Sequence, residues 1–325
     1  MEDFLPGEKF SISVVVPVYN EEENLLELQK RLSAALQTLG CDWEILYVND
    51  GSTDGTLKIL RGFDDPRVGL LDLSRNFGKE IAMTAGLDYA SGDAVVVIDA
   101  DLQHPPEVIP ELVTKWHEGF DVVCAKRTTR EGETYLKKAT AKFFYRAMQF
   151  LSHVQIQEGS GDFRLISRRA VEALKLLREH HRFMKGLFAW IGYPQTSVYY
   201  SCAPRFAGES KWNYWRLWNF ALEGITSFSI VPLKLATYIG MMTAVSAFVF
   251  AAFVVFKRLV YGDPVQGYAS LMVVMLFLGG TQLMSLGMIG EYLGRMFNET
   301  KRRPLYLVNQ TRASCLQKEG RSGGS

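Results

Sequence analysis

The chain has 325 residues, a formal net charge of +1 and 48% hydrophobic residues. Near-neutral charge gives no support to a nucleic-acid partner, whose phosphates call for a basic surface. Four scattered cysteines, Cys41, Cys124, Cys202 and Cys315, form no C-x-x-C, which argues against a zinc site or disulfide framework and fits a reducing compartment.

The length allows two or three domains. The first residues, MEDFLPGEKF, carry neither a basic stretch nor an apolar one, so no cleavable signal peptide is expected. Residues 12–18 (ISVVVPV) form an apolar run suited to a strand buried on both faces, with Pro17 placed to stop ladder pairing near its end. Leu25, Leu28, Leu32 and Leu36 then recur on one helical stripe. Glu21, Glu22 and Glu23 are expected in that helix's first turn, at the positive end of its dipole. Residues 44–49 read as a second strand, ending at Asp50 in the turn-rich NDGSTDGT. Residues 68–73 give a third strand, followed by SRNFGKE and a helix to about Tyr89.

The next stretch, residues 94–107 (AVVVIDADLQHPPE), organises the chain. A buried strand runs into two aspartates one residue apart. If the backbone stays extended there, Asp99 and Asp101 point to one side. Paired carboxylates at a strand's carboxyl end repel each other, and a divalent cation relieves that repulsion. Mg²⁺ or Mn²⁺ typically takes one or two carboxylates plus substrate phosphates. Taken alone, D-x-D reads equally well as turn punctuation. Residues 121–125 supply a fifth strand. Strands alternating with helices predict a mostly parallel α/β sheet, with ligands beyond the strands' carboxyl ends. Pro17 to Glu21, Asp50, Lys79 and Asp99 to Gln103 all fall there.

Residues 135–155 read as a basic amphipathic helix suited to an anionic membrane surface. Residues 159–165 (GSGDFRL) read as a glycine-rich loop carrying Asp162 and Arg164. RFAGESKW, residues 205–212, precedes Trp215 and Trp218, a tryptophan density that suits a membrane interface. Residues 235–256 and 269–289 contain no charged residue, and each is long enough for a transmembrane helix. Two spans put the N-terminal domain and the tail on one side. Lys301, Arg302 and Arg303 mark that side as cytoplasmic, although Lys257 and Arg258 in the connection weaken the vote. Gly287, Gly290 and Gly294 permit close helix packing, and a homo-oligomer, taken as a tetramer, is the expectation for assembly. The polar tail after Asn309 is expected to be disordered. The domain reading is a catalytic domain over 1–210, interface helices over 211–232, a two-helix transmembrane hairpin over 233–295, and a tail over 296–325.

In this order, VVVPVYNEE, VNDGSTDGT, LSRNFGKE, DADLQHPPE, GDFRL and FAGESKW resemble the family-2 glycosyltransferases of the GT-A (Rossmann-like) fold. The resemblance is strongest to polyprenyl-phosphate hexose synthases, and it runs from about Ser11 to about Leu307. It implies that Pro17, Tyr19 and Glu21 line a base and ribose pocket with Asp50, and that Lys79 lies near the nucleotide. Asp99 and Asp101 would flank the diphosphate and its Mg²⁺ or Mn²⁺, with Gln103 at the metal or sugar. Asp162 takes the position of the catalytic carboxylate. Arg127, Arg130, Arg164, Arg205, Ser210 and Lys211 become candidates for the acceptor phosphate. Inversion at the anomeric carbon is implied. The two-span layout favours UDP-glucose over GDP-mannose or UDP-4-amino-4-deoxyarabinose as donor, with a polyprenyl phosphate as acceptor at the inner membrane. A processive polysaccharide synthase would call for a Q-x-x-R-W signature, which is absent. An inert scaffold and a nucleotidyltransferase are the other rivals.

Overall fold

The computed structural model describes residues 9–128, 160–180, 182–200, 231–261 and 267–317. The expected interface helices, together with Arg130, Arg205, Ser210 and Lys211, lie outside these residues. The chain divides into two compact units. One comprises Met1–Ala221 and Pro304–Ser325, the other Leu222–Arg303.

The first unit is built on one eight-stranded sheet. Its strands are β1 (Ser11–Val18), β2 (Asp42–Asn49), β3 (Val68–Leu73), β4 (Ala94–Val97), β5 (Val122–Arg127), β6 (Ser160–Ser167), β7 (Gln195–Tyr200) and β8 (Val308–Arg312). Their spatial order is β7-β5-β6-β4-β1-β2-β3-β8. The run β4-β1-β2-β3 is parallel, as is β5 with β7. β6 is antiparallel to both β4 and β5, and β8 is antiparallel to β3. The sheet is therefore mostly parallel, as expected, with β6 and β8 as its two opposed strands. The GSGDFRL segment is not a loop: residues 160–165 belong to β6, inside the sheet. Part of the expected disordered tail is β8.

Leu25, Leu28, Leu32 and Leu36 of α1 (Leu25–Gln37) are fully buried against Ile12, Val14, Val16 and Val18 of β1. Ile109, Leu112, Val113 and Trp116 of α4 (Ile109–His117) join the same core. Glu21 to Glu23 precede α1, whose first turn holds only Glu27 as an acidic residue. α2 (Thr56–Arg61) follows β2, and α3 (Lys79–Tyr89) covers the opposite face. A Cβ on Gly86 of α3 would meet Val15 Cγ1 at 2.2 Å, so the helix rides directly on the sheet there. α5 (Arg168–Leu176) and α6 (Met184–Trp190) follow in the same unit.

Pro17 does what a strand proline can do. β1 pairs with β4 only as far as Val15↔Val97, but with β2 as far as Val18↔Asn49. Val15 accepts a bond from Ile98 N–H on the β4 side, so Pro17, two residues on, turns its missing donor to that side. The two central strands thus part at their carboxyl ends, where the order of strands reverses direction. That is the crevice in which open α/β sheets bind ligands.

The second unit holds two long helices, α7 (Val231–Tyr261) and α8 (Tyr268–Thr300). Over Leu271–Thr300, α8 is long and apolar enough to cross a membrane, and α7 contributes a shorter apolar stretch, Ala236–Phe250. Phe248, Phe253, Leu259, Leu283 and Phe297 are among many large apolar side chains exposed along both helices. Hydroxyls within them close on their own backbone: Thr237, Thr243, Thr281 and Ser285 each donate to the carbonyl four residues earlier.

Candidate active site

The loops after β1, β2 and β4 meet the start of α3 at the crevice. Two of the described non-glycine residues with positive φ are here, Asn20 (54°) after β1 and Leu102 (57°) after β4. Such conformations cost free energy and persist where surrounding contacts hold them. Asn20 is held by its neighbour loop. Its N–H donates to Ser52 Oγ (3.0 Å), and its Oδ1 accepts from Thr53 N–H (2.8 Å). Glu22 accepts from Gly55 N–H, and Glu21 N–H donates to Thr56 Oγ1. Gly51, at φ +66°, lies against the backbone of Arg75 and Asn76, where a Cβ would sit 2.5 Å from two backbone atoms. Asp50 braces the same approach. Its carboxylate accepts from Phe77 N–H (2.7 Å) and Gly78 N–H (2.9 Å). Burial raises its pKa, and those two bonds oppose the rise. Pro17 is buried at the end of β1, and Tyr19 is 42% exposed at the mouth.

Beyond β4 the chain turns at Ala100–Asp101 and does not stay extended, so the two aspartates have different surroundings. Asp99 Oδ1 lies 2.6 Å from Lys79 Nζ. The same ammonium lies 2.5 Å from Asp162 Oδ2. Lys79 opens α3, and Asp162 sits on β6, so one cation joins a carboxylate just beyond β4 to one on β6. Burial alone would lower the Lys79 pKa, but Asp99 and Asp162 outweigh it and raise it. Burial likewise opposes ionisation of Asp162, yet Lys79 and Lys185 hold it well below the usual carboxylate range. Asp101 Oδ1 accepts from Gln103 N–H at 3.1 Å. Gln103 Oε1 accepts from Arg127 at the end of β5, at 2.9 Å, a bond that takes one of the oxygen's two lone pairs.

Arg164 does not reach the crevice as an acceptor ligand. It is 2% exposed, donates to Gly161 O and stacks over the Phe188 ring at 3.9 Å. Its position two residues after Asp162 puts both on one face of β6, and α6 covers the arginine. The expectation for Arg164 is corrected to a wall residue.

Residues that sequence reasoning passed over complete the site. His104, buried in the D-x-D loop, pairs through Nδ1 with the Tyr200 hydroxyl and lies 3.8 Å through Nε2 from Asp99 Oδ2. Its pKa is lowered, first by burial, so the ring is neutral at pH 7. Thr128 donates both its N–H and its hydroxyl to Tyr200 O, clasping the ends of β5 and β7. Glu80, next to Lys79, accepts from Met184 N–H at the start of α6, and its Oε2 is buried without a partner. The histidine was visible in DADLQHPPE, but nothing in that string names Tyr200 as its partner.

Carboxylates gathered around one lysine at a strand-end crevice suit a substrate that brings its own negative charge and a counter-cation. Among the described residues no group of three or more His, Cys, Asp and Glu is placed to hold a metal. Asp99 and Asp101 still offer oxygen donors of the kind Mg²⁺ and Mn²⁺ use with phosphate ligands, so the residues fit such an ion.

Such a crevice beside strand-end carboxylates is the setting of group transfer from a nucleotide. Residues 13–175 match the family described as glycosyl transferase family 2, and the chain belongs to that family. Residues 231–296 match a second family, the GtrB C-terminal hairpin. An uncharacterized glycosyltransferase of Synechocystis sp. is 55% identical, over 92% of this chain and 94% of its own. The SfII prophage-derived bactoprenol glucosyl transferase of Shigella flexneri is 49% identical over 92% and 98%. The prophage bactoprenol glucosyl transferase homolog of Escherichia coli K12 is 47% identical over 93% and 99%.

Proposed function

We propose that this chain is a membrane-bound, inverting glucosyltransferase that moves glucose from UDP-glucose to a polyprenyl phosphate. One observation carries the reading. Relatives named for bactoprenol glucosyl transfer match the chain over more than nine-tenths of both lengths, catalytic domain and hairpin together. The loops after β1 and β2 hold the nucleotide, with Tyr19 and Glu21 at its base and ribose and Asp50 fixing the loop beneath it. Asp99 and Asp101 would hold Mg²⁺ or Mn²⁺ beside the donor's phosphates. When bound, that ion neutralises charge on the departing nucleoside diphosphate. Lys79 adds a second positive charge and keeps Asp162 ionised. The acceptor phosphate has a second pKa of about 6 and is mostly dianionic at neutral pH. Asp162 therefore orients the acceptor and removes a proton only from the residual monoanion. Arg127, Arg130, Arg205, Ser210 and Lys211 are the acceptor's partners in this reading.

α7 and α8 are read as two crossings, with the sheet domain in the cytoplasm. Exposed apolar surface on this scale is not left in water. The self-bonded hydroxyls meet the demand that polar groups in lipid be satisfied internally. β8 belongs to the same sheet as β1, so the chain between them crosses an even number of times.

The test is transfer from labelled UDP-glucose to undecaprenyl phosphate by the detergent-purified full chain, with Mg²⁺ or Mn²⁺. Solvent-extractable glucose and free UDP are expected in equal amounts. Transfer from GDP-mannose or an aminoarabinose donor alone overturns the glucose assignment. Donor hydrolysis that added lipid phosphate does not divert overturns the acceptor.

A further inference from the structure

The strand that follows the hairpin reaches the nucleotide loops. β8 pairs with β3 at the sheet edge, placing Gln310 opposite Asp72 and Val308 opposite Leu73. Asn309 Nδ2 donates to Asp72 Oδ2 at 3.0 Å. The other oxygen of that carboxylate accepts from Asn49 Nδ2 at 2.7 Å. Asp72 and Asn49 are both buried, at 3% and 1% exposure, so this carboxylate is met by two amides away from water. Asn49 ends β2, and its Oδ1 in turn accepts from Ser52 N–H at 3.3 Å. Ser52 Oγ takes the N–H of Asn20, the strained residue of the β1 loop. An unbroken line of hydrogen bonds thus runs from the post-hairpin strand to both loops of the donor pocket.

The segment is anchored firmly enough to transmit position. Arg312 donates to Leu60 O and Arg61 O, and Arg61 reaches back to Gln310. The Ser314 hydroxyl donates to Glu44, a carboxylate with no exposed surface that also accepts from Ser13 Oγ and Ser91 N–H. Cys315 N–H donates to Pro66 O, and Gln317 to Tyr89 O. A buried carboxylate that loses a donor reorients toward the one it keeps, because an unmet lone pair away from water is costly. Loss of the Asn309 amide would therefore move Asp72, then Asn49, then the Ser52 turn.

We propose that Asn309 is a positioning residue for the nucleotide, acting through Asp72 and Asn49 on the loops after β2 and β1. The proposal rests on the donor pocket assigned above, and its test is read on nucleotide binding so that the two fail separately. Full-length Asn309→Ala, Asp72→Asn and the double variant are compared with the parent in detergent. Calorimetry with UDP and, in parallel, GDP gives the Kd of whichever nucleotide the parent binds. Donor KM and kcat are measured beside it, and thermal melting reports the fold. Asn309→Ala should weaken nucleotide binding and raise donor KM by about fivefold, with kcat within about twofold and the melting temperature little changed. In the Asp72→Asn background the same change should add nothing, since the line is already cut. Asn309→Gln, which keeps the amide donor, should restore most of the binding. Gln310→Ala, one residue along the same strand, should leave Kd unchanged. Unchanged Kd in Asn309→Ala overturns the proposal, as does a fall in melting temperature without a change in Kd, or full additivity in the double variant. A parent that binds UDP but transfers no glucose counts against the sugar or acceptor assignment and leaves this one standing.

Discussion

Lys79 is the residue on which the charge balance of the site turns. It is shared by Asp99 and Asp162, and the side chain keeps 44% of its surface open, so a diphosphate can reach it. Lys79→Met leaves the two carboxylates facing each other, and the Asp162 pKa then rises. The acid limb of the kcat/KM profile for transfer should move to higher pH, together with a loss of at least about tenfold at pH 7, where one charge-assisted contact is worth roughly that factor. An unshifted limb would remove Lys79 from the site's charge balance. Glu80 behaves in the opposite sense to Asp162. Burial, with Asp162 nearby, pushes its carboxyl up to about 7. Its folded pKa lies above the ordinary value of 4.5, so the folded state holds the proton more tightly. That contribution to stability is fully present below about 4.5 and is lost as pH rises through about 7. Glu80→Gln should flatten the decline in melting temperature between pH 5 and 8 that the parent shows, and an identical slope in both proteins would refute it. At this scale the sequence exposed Asp99, Asp101, Lys79 and Asp162 because each sits in a polar string next to an apolar run. It hid His104's link to Tyr200 and Glu80's link to Met184, since those pairs are made by packing between distant segments.

Among elements, β1 to β5 were legible as apolar runs closed by turn residues, and the α1 stripe identified its buried face. β6 was not, because Gly, Ser and Asp open it and its partners on both sides are far away in the chain. β7 (QTSVYY) and β8 (VNQTR) are edge strands; β7 opens on Gln, Thr and Ser and β8 exposes Asn309, Gln310 and Thr311, so neither carries the hydrophobic run of a central strand. The long helices were legible from composition alone, because a span of lipid demands an uncharged run. Their crossing is testable with thiol chemistry. In cells expressing the protein, cysteine placed by Gly267→Cys at the start of α8 should react with an impermeant maleimide added outside. Cys315, whose N–H is held by Pro66 O, should react only after the membrane is opened. The reverse pattern would invert the orientation, and labelling of both in sealed cells would mean that the hairpin does not cross.

At the scale of the molecule, the chain leaves the first unit near Ala221 and rejoins it at Pro304. Replacing Leu222–Arg303 with about 20 Gly/Ser residues, a flexible link with an r.m.s. span of roughly 25 Å, should give a detergent-free protein. Its sheet would still include β8, so nucleotide binding should be kept, while transfer to polyprenyl phosphate is lost. Failure of that protein to fold would show that the sheet needs the hairpin for more than connection. β8 also fixes an order of events during synthesis. Seven of the described strands leave the ribosome before the hairpin, and β8, which covers the outer edge of β3, leaves after it. Until the chain has passed through α7 and α8 and doubled back, the edge of β3 stands open and Asp72 lacks its second amide. On the reading proposed above, the donor pocket is therefore completed last, after the hairpin has been made. On that reading, a chain that stops short of β8 would hold sugar nucleotide poorly, and so would not hydrolyse it before the whole enzyme is made.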